Sequence, residues 1–412
     1  MNETFDVIVI GAGAAGLMAA IRAAELGRRV LLLEKNRKPG VKILMSGGTR
    51  CNVTHACDER GIVEAYGPPG KFLFSALAAF SVQGTLDFFE AEGVPTKIEP
   101  NGKIFPVSNK ALDVLNALLA RLQRSPATLA LEEPVIDVKR TEQGFDVSTP
   151  RRTVSTKSVI VTTGGKSYPG SGTTGDGYRW LAAFGHTIVP PRPALTPIKS
   201  SAPWIAELRG VTLPDVTLTL GGVTAKPVTR RGSLLFAHFG LTGPVALDLS
   251  RLISGHPKPA ELSLAIDLSS DNSAEEIDRW LQQQSLAEGK KQLATILTER
   301  LPHRIAELLL SQTAQAIDRK AAGLSKVDRA ALVQLMKRLP VPATGTLGFE
   351  KAEVTAGGVA LNEVDSRDMQ SRLVPGLFIA GELLDLDGPI GGYNFQAAWS
   401  TGWLAGQNAD KN

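Results

Sequence analysis

An α/β fold of the Rossmann-like kind, split in two by an inserted domain, is predicted by three observations. The first 34 residues run strand, glycine turn, helix, strand, acid. Near the other end, residues 374–399 read as a strand ending in Gly-Glu, then a glycine-rich loop, then a helix. Between them, residues 195–344 change pattern, first to short strands and then to helices, behind the proline-rich stretch 190–193. A parallel sheet whose strands come from both ends of the chain satisfies all three.

Residues 5–10 are a short β-branched apolar run that suits a buried parallel strand. Gly11, Gly13 and Gly16 follow in G-x-G-x-x-G spacing: the first for a tight turn, the second for approach of a pyrophosphate, the third for close packing of helix on strand. The helix beginning at Ala14 and Ala15 offers free N–H groups and its positive dipole end. A second strand over 29–33 ends in Glu34, 18 residues past Gly16, where a carboxylate accepts hydrogen bonds from a ribose. These features in this order predict dinucleotide binding.

Residues 35–54 mix small and turn-forming residues with Lys35, Lys42, Ser46, Gly47, Gly48, Arg50 and Asn52. An ordinary surface loop is the plain alternative; the density of donors beside the βαβ unit favours a segment running along the cofactor. One helix is predicted over 71–92, a short strand over 104–106 and a helix over 111–123. Alternation over 134–138 (which includes Val135), 145–148 and 153–155 predicts an antiparallel meander. Residues 159–165 predict a second buried strand that ends at Thr163, Gly164 and Gly165. The loop 166–177 contains four glycines and precedes a helix over 178–184. Strands are then expected over 208–213, 216–220, 234–236 and 262–266, and helices from an N-cap at Ser273 to Arg338. The final strand, 377–380, leads into Gly381-Glu382, an acid suited to ribityl hydroxyls, and a helix from about Asn394.

Composition narrows the functions. Charged residues at 21% and hydrophobic ones at 43% describe a soluble globular chain of 412 residues, long enough for two or three domains. Nothing at the N-terminus reads as a signal peptide, and no apolar run approaches the ~20 residues of a bilayer span. Two cysteines, Cys51 and Cys57, exclude a disulfide scaffold, and five scattered histidines show no metal spacing, so no metal is expected. A reducing cytoplasm is the expected location. Residues 195–344 carry 18 Lys+Arg against 14 Asp+Glu, which is the whole net charge of +4. That excess hints at an anionic partner.

These stretches together resemble the FAD-binding enzymes of the aminoacetone oxidase family, within the larger glutathione-reductase-like flavoprotein superfamily. The resemblance is carried by residues 11–16, 42–54 (KILMSGGTRCNVT), 235–244 (LFAHFGLTGP), 355–359 (TAGGV) and 381–396 (GELLDLDGPIGGYNFQ). It implies FAD held by the split domain, 1–193 with 345–412, and an inserted β-barrel (194–270) and small helical part (271–344) covering the flavin. It also implies cofactor contacts at Cys51, Asp387, Gly392, Tyr393, Asn394 and Gln396, and acid–base or orienting roles for His238, Cys51 and Arg50. Three positions depart from the family pattern: Val41 where arginine is common, Thr49 where glycine is, and His55 where asparagine is.

Members of that family have been associated with aminoacetone oxidation, bile-acid transformation and reduction of ribosomal RNA uridine to dihydrouridine. Only one dinucleotide fingerprint is present, so NAD(P)H is expected at most as a transient reductant. Three functions stand. The favoured one is an FAD-dependent reductase delivering hydride to a uracil base in ribosomal RNA, bound through the basic inserted domain. The others are a flavin oxidase of a small amine such as aminoacetone and a non-enzymatic flavoprotein. No membrane partner is expected.

Overall fold

The computed structural model describes residues 5–411; the outermost positions of the expected cofactor domain, 1–4 and 412, lie outside them. Two compact units divide the chain, one up to Pro193 and again from Glu353, the other Ala194–Ala352.

In the first unit a five-stranded parallel sheet runs in the order Leu377–Ile379, Ser158–Val161, Val7–Ile10, Val30–Leu33, Thr128–Ala130. Every residue of Val7–Ile10 and Val30–Leu33 is buried, which explains why these strands read as continuous apolar runs rather than alternating ones. Helix Ala14–Glu25 makes the first crossover, and the C-terminal helix Tyr393–Asn408 packs along it. Gly402 and Gly406 permit that approach: a Cβ on either would stand 2.2 Å from the carbonyl oxygen of Ala15 or Ala19. The strands Asp137–Thr141, Gly144–Ser148 and Thr153–Thr156 form the expected meander.

The helix expected over 71–92 is broken. A 3-10 turn, Pro68–Leu73, leads into Phe74–Ala79, and a second helix, Val82–Ala91, starts afresh. Phe80 is extended, Ser81 caps the second helix by accepting from Gly84 N (2.9 Å), and Phe80 O accepts from Ser400 Oγ (2.7 Å) and Gln396 Nε2 (3.4 Å). The break is imposed from the far end of the chain. Residues 190–193 lie in strand Ile188–Ala194, which forms a two-stranded sheet with Val354–Val359, a setting where proline's missing N–H is tolerated.

In the second unit six antiparallel strands close a barrel: Ile198–Ser200, Gly240–Thr242, Val228–Ala237, Thr212–Gly221, Ser263–Asp267 and Leu339–Thr346, the last returning to the first. Residues 208–211, expected as strand, are turn and loop, and the strand begins at Thr212. Residues 340–345 look like a hinge in the sequence, yet Pro340 and Pro342 point outward from a barrel strand whose Leu339, Val341 and Ala343 are buried. The unit accordingly runs on to Ala352 rather than ending at 344. Four helices follow the barrel's fifth strand: Ala274–Ala287, Leu293–Leu297, His303–Gln312 and Lys326–Lys337. The first opens with a full capping box between Ser273 and Glu276. Among the described residues no single helix is long and apolar enough to cross a membrane.

Candidate cofactor site

Strand Val7–Ile10 ends in a turn that tolerates no side chain at Gly11 or Gly16. Gly11 has φ +101°, and a Cβ on Gly16 would lie 1.8 Å from Gly11 O. Thr162 braces the turn, its Oγ1 donating to Ile10 O and Gly11 O at 2.9 Å. Gly13 has nothing within 4 Å of its Cβ position, and no side chain caps the helix that follows it. That open floor, with uncapped N–H groups beside it, fits a pyrophosphate. Glu34 is almost fully buried and pinned at both oxygens, by Ala12 N and Asn36 N at 2.8 Å each. A carboxylate has about four acceptor positions, so two remain for a ribose diol.

The segment after Glu34 is laced to the loop 166–177. Lys35 Nζ binds Thr174 and Asp176, each at 2.7 Å, and Asn36 Nδ2 donates to Ser171 O (3.1 Å). Lys42 Nζ binds Ser167 Oγ (2.7 Å) and Glu382 (2.6 Å). The other oxygen of Glu382 accepts from Ser167 Oγ (2.6 Å) and Thr355 N (2.9 Å). Three protein donors therefore occupy the acid expected to serve ribityl hydroxyls, leaving it one acceptor position; it is first a knot between four segments. Ser167 was not legible as a site residue, because its partners Lys42 and Glu382 lie 125 and 215 positions away, and Thr355 joins the knot through Glu382 and through Ser167 N, 188 positions away.

Residues 47–51 wind through left-handed backbone, with φ of +55° at Gly47, +66° at Gly48, +69° at Thr49 and +62° at Cys51. Ser46 Oγ closes the preceding helix on Ile43 O (2.8 Å). Cys51 has no exposed surface, and burial pushes its thiol up to about 12 despite a hydrogen bond from Ser46. A thiol sealed in the core cannot hand a proton to a substrate, so its expected catalytic and contact roles do not fit. Arg50 ion-pairs with Glu99 (2.6 Å) and stacks over Phe105 (3.9 Å), the posture of a structural clamp. Asn52 is buried, its amide donating to Ile104 O and Thr54 O and accepting from Gly392 N (3.0 Å).

That last bond brings the C-terminal motif alongside. His55 stacks on Tyr393 with centroids 4.6 Å apart, and its Nδ1 meets Gly391 O at 3.0 Å. The buried Tyr66 hydroxyl donates to Tyr393 O (3.1 Å), and Asn394 closes the loop on Gly388 through both side-chain atoms. Gly392 caps helix Tyr393–Asn408, whose first turn has no side-chain cap. A Cβ on Gly381 would stand 2.8 Å from that of Ala15, so the two glycine motifs meet. Asp387 is half-buried beside this loop, and Val135 packs part-buried against the core. Gly164 and Gly165 pack against Thr173 and Thr355, while Thr163 Oγ1 is buried without a protein partner. Gln396 departs from expectation. It is wholly buried and consumed by Thr54, Thr85, Ser400 and two backbone carbonyls, so it holds the break at Phe80 rather than a ligand.

His238 belongs to the inserted unit, exposed in the turn after Val228–Ala237, edge-on to Phe239 at 5.0 Å.

Residues 5–408 match the family described as HI0933-like protein Rossmann domain. The chain is 36% identical over 409 residues to the ribosomal RNA dihydrouridine synthase of Escherichia coli (strain K12), covering 98% of both. It is 32% identical over 410 residues to the 3-dehydro-bile acid delta(4,6)-reductase of Clostridium scindens, covering 97% of this chain and 98% of that one. Among solved structures, the 3-ketosteroid delta1-dehydrogenase of Sterolibacterium denitrificans shares the fold, with a TM-score of 0.51 at 16% identity over 98% of each chain. The chain belongs to the HI0933-like Rossmann family and is an FAD-dependent flavoprotein oxidoreductase.

Proposed function

We propose that this chain is a reductase that saturates the C5=C6 bond of a uracil base in ribosomal RNA, giving dihydrouridine, with reduced FAD as the source of hydride. The observation that carries the reading is end-to-end likeness, at 36% identity, to a protein of that name. The bile-acid reductase relative supports the same chemistry, because both names describe saturation of a C=C bond conjugated to a carbonyl.

The chain's own residues bind and orient. N–H groups at the start of Ala14–Glu25 hold the pyrophosphate, Glu34 the adenosine ribose, and the uncapped first turn of Tyr393–Asn408 stabilises negative charge at the flavin's pyrimidine end. The Lys42–Glu382 knot fixes the wall between them. Of the side chains suggested for acid–base or orienting work, His238 is exposed whereas Cys51 is sealed and Arg50 is committed to Glu99; we assign to His238 the proton delivered to C5. NAD(P)H docks transiently as reductant, since the chain has a single dinucleotide fingerprint.

Ion pairing refines the charge argument. In each basic doublet of the inserted unit one member is bound internally: Arg231 to Asp215 and Asp271, Lys291 to Glu288, Arg319 to Asp328, Lys337 to Asp267. Arg230, Lys290, Lys320 and Arg338 are left for an anionic partner. The test is mass spectrometry of ribosomal RNA nucleosides from cells with and without this protein. Loss of one dihydrouridine, restored by the wild-type gene, supports the reading; an unchanged nucleoside profile refutes it.

A further inference from the structure

One corner of the inserted unit's helical part interleaves free lysines with exposed aliphatic side chains. Residues 289–293 run antiparallel to 319–322: Leu293 N donates to Arg319 O (2.8 Å), Ala321 N to Lys291 O (3.0 Å) and Ala322 N to Gly289 O (3.0 Å). Ser285 Oγ ties the end of helix Ala274–Ala287 to Ala321 O (2.6 Å), and Arg319 ties the same segment to Asp328 in helix Lys326–Lys337 (2.9 Å). Around this junction Leu286 is 82% exposed, Val327 78% and Ile317 51%. Lys290, Lys320 and Lys326 lie between them, exposed and outside every ion pair among the described residues. Of the nearby acids, Glu288 is taken by Lys291 and Asp328 by Arg319, which leaves Asp318 alone against three free cations.

We propose that this corner docks RNA, and the proposal rests on the dihydrouridine reading above. Lys290, Lys320 and Lys326 neutralise phosphates, while Leu286, Ile317 and Val327 pack against riboses and unstacked bases of a looped or single-stranded segment. The excess of uncommitted positive charge calls for an anionic partner, and the aliphatic side chains call for one with apolar faces. A lipid surface shares that chemistry but needs a helix with its apolar stripe outward. Here both helices turn theirs inward: Ile277 and Leu281 on one, Leu332, Val333 and Met336 on the other, all buried. The exposed aliphatics instead stand singly at helix ends and a turn, a spacing suited to separate nucleotides.

The experiment uses full-length protein carrying FAD, a transcribed ribosomal RNA fragment containing unpaired loops, and binding measured at several salt concentrations. Lys290→Glu with Lys320→Glu and Lys326→Glu should weaken binding at least tenfold at low salt. It should also flatten the slope of log K against log salt by about 2, since each single-strand contact contributes about 0.7. Leu286→Ser with Ile317→Ser and Val327→Ser should weaken binding with the slope unchanged. FAD content and Tm equal to wild type establish that both variants fold; single Lys→Gln variants, each removing about 0.7 of slope, provide the same test if they do not. Wild type that binds RNA while the lysine variant matches it in affinity and slope overturns this docking site and leaves the dihydrouridine reading standing. Binding to phosphatidylglycerol vesicles but not to RNA, lost in the lysine variant, overturns it in favour of a membrane. The nucleoside comparison, which does not depend on these side chains, judges the reductase reading separately.

Discussion

Lys42 and Glu382 are 340 positions apart in sequence and 2.6 Å apart in space. Ser167 and Thr355 converge on the same carboxylate, so four segments of the cofactor unit share one anchor. Both partners are mostly shielded, with side chains 27% and 19% exposed. Breaking such a pair therefore strands a charge whose solvation is incomplete.

Glu382→Gln should accordingly lower both Tm and FAD retention. Losing a charge-assisted bond from a partly buried site costs roughly 1–3 kcal/mol, which for a chain of this size is about 1–4 degrees. Thermal melts with and without added FAD measure both effects. A variant that melts and retains flavin like wild type would show the pair to be incidental.

Glu34→Arg tests the other end of the cradle. The substitution removes the acceptor for Ala12 N and Asn36 N and places a cation where the ribose hydroxyls need a carboxylate. The protein should purify with little or no flavin absorbance, against a yellow wild type. Full flavin content in the variant contradicts the assignment.

Thr49 occupies a left-handed backbone at φ +69°, where the family usually has glycine. A non-glycine residue there costs about 1–2 kcal/mol, more for a β-branched side chain, while glycine's extra freedom in the unfolded chain returns about 0.5–1. Thr49→Gly should therefore stabilise slightly, by up to about 1 kcal/mol, visible as a higher midpoint in urea. A lower midpoint would mean that Thr49 makes a contact worth more than its strain.

Much of the cofactor unit could be read locally. The βαβ turn and the Gly381–Tyr393 loop are spelled out by glycines, of which Gly11, Gly16, Gly381 and Gly392 leave no room for a Cβ and Gly13 leaves the floor open. Pairing across the chain was not legible. Gln396 is a cofactor contact by the family resemblance, yet its amide serves Thr54, Thr85 and Ser400. The helix break at Phe80 depends on those same distant residues. Prolines 340 and 342 suggested a hinge, but alternation with buried Val341 and Ala343 suits a barrel strand whose outward positions tolerate them. The net charge of residues 195–344 does not distinguish their basic residues, which split into bound and free members only once their acids are placed.

Acid should loosen the unit at His186. The ring is fully buried, with Nδ1 3.2 Å from Glu363 and Nε2 2.8 Å from Ser371 Oγ, which also accepts from Leu373 N and Val374 N. Burial pulls its pKa below the ordinary 6.5, outweighing the pull of Glu363 in the other direction. Between the lowered folded value and 6.5 the unfolded chain binds more protons, so stability rises with pH up to about 6.5 and falls below it. Glu363 is also held low and adds a loss of the same sign at more acidic pH. Comparing Tm at pH 7.5 and 5.5 should show a drop that His186→Gln reduces. An equal drop in both proteins would place the sensitivity elsewhere.

The split domain makes a strict demand on Gly402. Its Cα faces Ala15 so closely that a Cβ would stand 2.2 Å from the Ala15 carbonyl, within backbone that cannot swing aside. Gly402→Ala must push helix Tyr393–Asn408 off helix Ala14–Glu25, and overpacking of this kind costs typically 1–3 kcal/mol. Because the displaced helix begins at Gly392 and the other at Gly13, the shift moves both N-termini proposed to hold the cofactor. FAD affinity should therefore fall more steeply than Tm, which flavin titration and melting together resolve. A fragment of residues 1–190 removes the whole helix together with the edge strand Leu377–Ile379, and it should retain no flavin. If that fragment binds FAD as tightly as the full chain, the two ends do not form one site.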